Sequence, residues 1–266
     1  MSGDATGTVP DDLARALDAL AAHVRDGGRA LVALDFDGAL APLQDDPDAS
    51  RALPAAVTAL ARLGTVPGVT LALVSGRGVA DLAARAEVPD GTLLVGSHGA
   101  ERGRVVDGGP ERHDLELDEA TAARHREITR ALVEAVEGTT ARVEHKPAAV
   151  VLHTRTAEPA DAERLTAFAL GLGERDGVDA MHGKAVVELA VLHVTKGDAL
   201  ADLRAETRAG ALLYAGDDVT DERAFRTLQA DDVTIKVGEG DTAARFRVHD
   251  PEGLAAALTR LAAALA

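Results

Sequence analysis

Five short apolar runs constrain the architecture of this chain more than any other feature of its sequence. They are "ALVALD" (30–35), "VTLALVS" (69–75), "TLLVGSHG" (92–99), "ALLYAGDD" (211–218) and "VTIKVG" (233–238). Each is short and continuously apolar rather than alternating, the pattern of a strand buried on both faces of a parallel sheet. Helical patterns sit between or after them, at about 54–63, 78–87, 196–208, 220–230 and 251–265. A first helix is expected over 11–26, where Leu13, Leu17, Leu20 and Val24 recur at helical spacing and Asp11 or Asp12 is available as a cap. Strand–helix alternation of this kind predicts an α/β domain with a mostly parallel sheet.

The middle of the chain has a different rhythm. From 104 to 192 come "GRVVDG", "RHDLEL", a helix at about 118–137, a hairpin "ARVEHKPAAVVLHTR" (141–155), a helix at about 159–172 and a strand pair "VDAMHGKAVVELAV" (178–191). Short turns between strands, with two helices, predict a small antiparallel α+β domain that interrupts the parallel one. The expected division is 1–103 with 193–266 as one domain and 104–192 as the insert.

Composition narrows the function. A length of 266 residues suggests about two domains. No apolar stretch approaches the ~18 residues of a membrane span, and "MSGDATGTVPDD" has neither the basic head nor the apolar region of a secretory signal. With no cysteine there is no disulfide framework, thiolate nucleophile or cysteine-bound metal. A cytoplasmic location, no membrane partner and a monomeric state are the expectations. The net charge of −16 argues against a nucleic-acid partner. An acidic chain that binds phosphate needs a local cation, either a metal ion or a placed lysine. Aromatic residues are 2% of the chain, so a sugar ligand would be gripped by charged and polar side chains rather than by ring stacking.

Open α/β sheets bind their ligands at the C-terminal ends of the strands. There the sequence gathers Asp35 and Asp37 after the first run, Ser75-Gly76-Arg77 after the second, Ser97-His98-Gly99 after the third, and Asp217, Asp218 and Asp221 after a later one. Carboxylates on one rim repel one another unless a cation sits among them, and an all-oxygen donor set beside a phosphate suits Mg²⁺. An ionised aspartate then becomes a competent nucleophile toward phosphorus. A second carboxyl two residues away can protonate the leaving alcohol and later activate a water.

"DFDGALAPL", "VSGR", "KGDAL" and "GDDVTDERAF", in this order, resemble the haloacid dehalogenase superfamily of phosphohydrolases. The resemblance implies a Rossmann-like parallel-sheet core with an inserted α/β cap, and Mg²⁺ as cofactor. It implies Asp35 as nucleophile and metal ligand, Asp37 as general acid/base and ligand through its backbone carbonyl, and Ser75 as phosphate holder. Lys196 would stabilise nucleophile and phosphate, Asp217 would ligate the metal, and Asp221 would support that ligand set, with Asp218 contributing. The superfamily usually has Thr after the DxDG motif, where this chain has Ala39.

In the insert, strand parity puts Glu144 with Lys146, His153 with Arg155, and Lys184 with Glu188 on shared faces. One sheet face is therefore expected to be polar, either solvated or closing as a cap over the strand-end rim. "EHK…LHTR" followed by "GKAVVEL…KGDAL" and "GDDVTDE" is similar to the trehalose-6-phosphate phosphatase family over nearly the whole chain. That resemblance implies a small-molecule sugar phosphate as substrate and assigns Glu144, Lys146, Arg155, Lys184 and Glu188 to sugar recognition. Arg77 and Glu101 are weaker candidates, and the remaining histidines read as structural. The alternatives are a phosphatase for another sugar phosphate such as sucrose 6-phosphate, a phospho-accepting signalling module, and an inactive homologue. Asp37 beside the nucleophile and the large insert argue against the signalling module.

Overall fold

A computed structural model of the chain describes residues 9–44, 46–113, 117–192 and 194–266. The chain divides into two compact units, Met1–His113 with Thr195–Ala266, and Asp114–Val194.

The first unit is built on an eight-stranded sheet. Its strands are β1 (Ala30–Leu34), β2 (Val69–Val74), β3 (Leu93–Gly96), β4 (Glu101–Val106), β5 (Gly109–His113), and, after the second unit, β10 (Ala211–Gly216), β11 (Val233–Val237) and β12 (Phe246–Val248). Their order is β12-β11-β10-β1-β2-β3-β4-β5, parallel from β12 through β3 and antiparallel for β4 and β5. The apolar runs are continuous because both faces are covered. Ala30, Val32 and Leu34 join the core formed with helices α1 (Asp11–Arg25), α2 (Pro54–Leu63), α3 (Val79–Ala86) and α8 (Pro251–Ala264). Leu31 and Ala33 face the opposite core, with Leu200 and Leu203 of α6 (Lys196–Thr207) and Phe225 of α7 (Val219–Phe225).

The topology fixes where a site can be. From β1 the chain builds outward through β2 and β3, then returns through β10 on the other side of β1. Strand order reverses beside β1, and ligands of open α/β sheets bind in the crevice at such a reversal. Helix α7 stops at Phe225, short of the expected 230. Thr227 N–H bonds back to the Ala224 carbonyl (2.9 Å) in a tight turn, and the Asp232 carboxylate takes the Gln229 amide (2.8 Å).

The second unit holds a four-stranded antiparallel sheet in the order β6-β7-β9-β8: β6 (Arg142–Lys146), β7 (Ala149–His153), β8 (Asp179–Gly183) and β9 (Val186–Ala190). Val150, Leu152, Val187 and Leu189 point from one face into a core with Ile128 and Leu132 of α4 (Glu119–Val136) and Leu165, Ala169 and Leu172 of α5 (Pro159–Gly173).

The boundary of the insert differs from the expected 104. Strands β4 and β5 form a hairpin whose first strand pairs with β3 (Leu93↔Arg104, Gly96↔Glu101), so "GRVVDGGPERH" extends the core sheet. A hairpin at a sheet edge has the same local signature as one in an antiparallel insert, which is why sequence alone misplaces it.

Candidate active site

The acidic rim is assembled by two neighbouring strands. Asp35 follows β1, and its amide continues the ladder to the Ala215 carbonyl of β10 (2.9 Å). Asp217 follows β10 on the adjacent strand. Ser75, one strand over, follows β2 and bonds through its amide to Val95 of β3 (2.9 Å). Together with Asp37, Arg77, His98, Lys196 and Asp218, and with Leu43, Gln44 and Ser50 from the loop after β1, these residues line a cavity of about 490 Å³.

Lys196 is the cation of the site. It opens α6, where the helix dipole disfavours a positive charge. Its ammonium is 2.8 Å from Asp221 Oδ1, 3.1 Å from Asp35 Oδ1 and 3.8 Å from Asp218 Oδ1, and the side chain is 1% exposed. Helix α6 is set by a capping box, with Thr195 Oγ1 accepting the Asp198 amide and Asp198 accepting the Thr195 amide. Burial works to lower the Lys196 pKa, but Asp35, Asp221 and Asp218 outweigh it and hold the ammonium charged. Burial also raises Asp35 well above the ordinary carboxylate value, opposed by Lys196 and reinforced by Asp221.

Asp221 organises the loop after β10. Its Oδ1 accepts from Lys196 Nζ (2.8 Å) and the Tyr214 hydroxyl (2.5 Å), and its Oδ2 accepts the amides of Asp217 (2.9 Å) and Asp218 (3.0 Å). It is fully buried. Only a glycine fits at 216, since a Cβ there would lie 2.2 Å from the Asp221 Cγ. Asp218 caps α7, accepting the Asp221 amide and the Thr220 hydroxyl (both 2.8 Å). Burial works against Asp218, yet Lys196 and these donors bring its pKa down to about 2.

Asp35, Asp217 and Asp221 each offer a carboxylate oxygen within 4.8 Å of the others, a donor set able to hold a divalent metal ion. The fit is uneven. Asp221 already accepts two hydrogen bonds on each oxygen, so it serves better as the scaffold of the set than as a ligand. Asp217 is pushed up to about 6 by burial, with Asp221 and Asp218 adding to it, more than Lys196 and Lys236 offset. Its carboxylate lies against Gly38, whose φ is +77° and where a Cβ would sit 2.1 Å from Asp217 Oδ2. The glycine of the DxDG motif therefore makes room for this carboxylate and supplies a turn that other residues adopt with strain.

Asp37 faces the same cavity, but both its oxygens accept from Arg77, Nε to Oδ2 at 2.6 Å and Nη2 to Oδ1 at 2.7 Å. The Arg77 guanidinium lies over the Phe36 ring, 5.4 Å from its centroid. Ser75 does not cap the following helix. Its Oγ accepts the Arg77 amide (3.2 Å), which leaves its O–H as a donor, while α3 has Gly78 as its N-cap and takes Glu101 Oε2 at the Val79 amide (3.1 Å). Glu101 is thus a helix-end partner. Ala39 is fully buried in the hydrophobic core.

Several residues of this site escaped the sequence reading. His98, which the sequence places on the rim without a role, lines the cavity with its ring packed over Gly76. The "SHG" at the end of β3 was the available signal. Tyr214 and Lys236 carried no signal, since both sit inside apolar strands. Lys236 is 6% exposed and donates to the Asp217 carbonyl.

In the second unit, Lys146 Nζ meets Glu188 Oε2 at 2.9 Å and His153 Nε2 meets Glu144 Oε2 at 2.8 Å, on the sheet face opposite the helices. Arg155 and Lys184 lie beyond the strand ends, where parity does not govern direction. They line a separate cavity of about 670 Å³ with Thr154, Glu163, Thr166 and His182, beside α5.

An aspartate at the end of the central strand, a hydroxyl on its neighbour, a buried lysine and an acidic loop across the strand-order reversal define a core of the haloacid dehalogenase superfamily. Comparison with known proteins narrows this. The trehalose-phosphatase family model matches residues 33–252. A trehalose-phosphate phosphatase of Mycobacterium ulcerans is 34% identical over 93% of this chain, which spans 66% of that relative's length. A probable trehalose-phosphate phosphatase of Sinorhizobium fredii is 37% identical over 77% of this chain and 76% of its own. The crystal structure of a trehalose-6-phosphate phosphatase related protein superposes with a TM-score of 0.65 and 27% identity, covering 88% of this chain and 97% of that one. The chain belongs to the trehalose-phosphatase family. Among the described residues, no helix is long and apolar enough to cross a membrane.

Proposed function

We propose that the chain hydrolyses trehalose 6-phosphate to trehalose and inorganic phosphate, with Mg²⁺ as cofactor and an aspartyl-phosphate at Asp35 as intermediate. The single observation that carries the chemistry is the Lys196 ammonium held 3.1 Å from Asp35 and 2.8 Å from Asp221. It opposes the burial that disfavours the Asp35 carboxylate and holds that carboxylate in one place, which is what a nucleophile needs. Bound by Asp35, Asp217 and the Asp37 carbonyl, Mg²⁺ would neutralise phosphoryl charge and let an anionic nucleophile approach an anionic substrate.

The residues divide the work as follows. Asp35 Oδ attacks phosphorus, the bond from phosphorus to the sugar oxygen breaks, and Asp37, entering the step in its protonated form, gives its proton to that oxygen. Asp37, now a carboxylate, takes a proton from water. The water oxygen attacks the phosphorus, the bond to Asp35 breaks, and phosphate leaves with both aspartates restored. Ser75 O–H and Lys196 hold the phosphoryl oxygens. Asp218 and Asp221 keep the Asp217 loop in shape. Glu144, Lys146 and Glu188 are assigned to the disaccharide, with the Lys146–Glu188 and Glu144–His153 pairs presenting fixed donors and acceptors to its hydroxyls; for Arg155 and Lys184, which line the cavity beside α5, that role rests on the family resemblance alone. The division into a core of 1–113 with 195–266 and a substrate-specificity unit of 114–194 supports this reading. Asp35→Asn keeps the shape and removes the nucleophilic charge. It is expected to fold normally and lose turnover entirely, and measurable phosphate release from that variant would rule out the covalent route.

A further inference from the structure

Beyond Arg77 the contacts to Asp37 continue. The third guanidinium nitrogen of Arg77, Nη1, donates to Asp81 Oδ2 at 2.7 Å. The other Asp81 oxygen accepts from Arg85 Nε at 2.6 Å. Arg85 in turn reaches Asp48 Oδ1 through Nη2 at 2.6 Å and the Asp48 carbonyl through Nη1. Asp48 lies in the turn Pro47–Ala49, two residues before Ser50 of the cavity wall. Charges alternate along Asp37, Arg77, Asp81, Arg85 and Asp48, and the Asp37–Arg77 pairing is bidentate.

Isolated surface ion pairs contribute little. This row differs because its two arginines are 11% and 13% exposed, so their guanidinium groups are largely withdrawn from water, and because each is held at more than one nitrogen. A planar fork held on one edge can swing with its partner, whereas a fork held on two edges cannot. Asp37 is fixed by Arg77, and Arg77 is fixed by Asp81 at the opposite side. The helix supplies the spacing: Asp81 and Arg85 are one turn apart on α3, with Arg77 one turn before.

We propose that Asp81, braced by Arg85, is a positioning residue for the proton-transferring carboxyl of Asp37, acting through Arg77. The proposal rests on the reading of Asp37 as proton donor to the leaving oxygen. Without Asp81, Arg77 turns toward its remaining partners and carries the Asp37 carboxyl off the line of the leaving group.

The test compares two substrates of nearly one shape whose leaving groups differ in their need for a proton, phenyl phosphate and 4-nitrophenyl phosphate. The quantity read is kcat/KM, which reports the steps through cleavage of the ester bond. General acid catalysis contributes about 10²–10⁴-fold, and a misdirected donor should forfeit part of it. For Asp81→Asn the loss on phenyl phosphate is expected to be about 20-fold and that on 4-nitrophenyl phosphate about 2-fold. Arg85→Gln should show the same selectivity at smaller size, and it carries the test if Asp81→Asn folds poorly. Asp81→Glu, which keeps the charge, should recover much of the phenyl phosphate rate. Equal losses on both substrates, or none, would overturn the proposal. A native protein that hydrolyses neither aryl phosphate nor any sugar phosphate would instead overturn the phosphatase reading itself.

Discussion

Asp221 shows how much of this site is organised by one buried side chain. Four hydrogen bonds converge on its two oxygens, and two of the donors, Lys196 and Tyr214, are themselves fully buried. Burial, together with Asp221 and Asp35, holds the Tyr214 hydroxyl well above its ordinary pKa, so it remains a donor. Tyr214→Phe removes that donor without changing shape and leaves Asp221 Oδ1 with Lys196 alone. A hydrogen bond to a buried charge contributes about 2 kcal/mol, and a loss of that size is expected in the urea midpoint with an unchanged slope. A change under about 0.5 kcal/mol would show that the hydroxyl is replaceable. The acidic motifs that frame this residue were legible in the sequence because their spacing is local. Tyr214 and Lys236 were not, and Arg77 was legible only as a weaker candidate, because what they touch is decided by which strands become neighbours.

At the scale of elements, side-chain caps fix where α4, α6, α7 and α8 begin. Asp250 accepts the Gly253 amide at 2.9 Å and starts α8, whose Leu254, Leu258 and Leu261 fill the core beneath β1. Asp118 caps α4 in the same way, and Thr195 caps α6 by accepting the Asp198 amide. The hydrogen bond from His249 and then the Gly253 amide lower the Asp250 pKa below its ordinary 3.8. A depressed folded-state value means the cap's stabilisation is fully present above the ordinary value and disappears as pH falls through the folded one. Asp250→Ala is therefore expected to cost about 1 kcal/mol near neutral pH, with the gap to the native protein closing in strong acid. Urea unfolding at both conditions checks it, and a gap that stays constant would mean the carboxylate is not the cap. Most elements could be read from periodicity and from these caps. The β4–β5 hairpin could not, since its pairing with β3 is long-range, and neither could the directions of Arg155 and Lys184, which follow strand ends rather than strands.

At the scale of the whole molecule, a chain of net charge −16 concentrates carboxylates at the one rim where it is proposed to receive a phosphate. Asp217, at about 6 against an ordinary 3.8, is raised first by its burial and then by its neighbours Asp221 and Asp218. A raised folded-state value means that ionised Asp217 opposes folding of the metal-free protein at neutral pH, and that protonation between these two values relieves it. Mg²⁺ should relieve it too. Ligand at about 100 times its dissociation constant stabilises by about 2.7 kcal/mol, so Mg²⁺ is expected to raise the thermal midpoint clearly. Asp217→Asn should abolish that shift while leaving the metal-free protein at least as stable. A Mg²⁺ response that survives in the variant would place the ion elsewhere.

The most direct test of the account is phosphate release from trehalose 6-phosphate, glucose 6-phosphate and sucrose 6-phosphate in parallel, with Mg²⁺ and after chelation. Strong preference for trehalose 6-phosphate that vanishes on chelation is the predicted result. Equal rates on all three would contradict the assignment of the second unit's polar residues to trehalose, and undiminished activity after chelation would contradict the metal site.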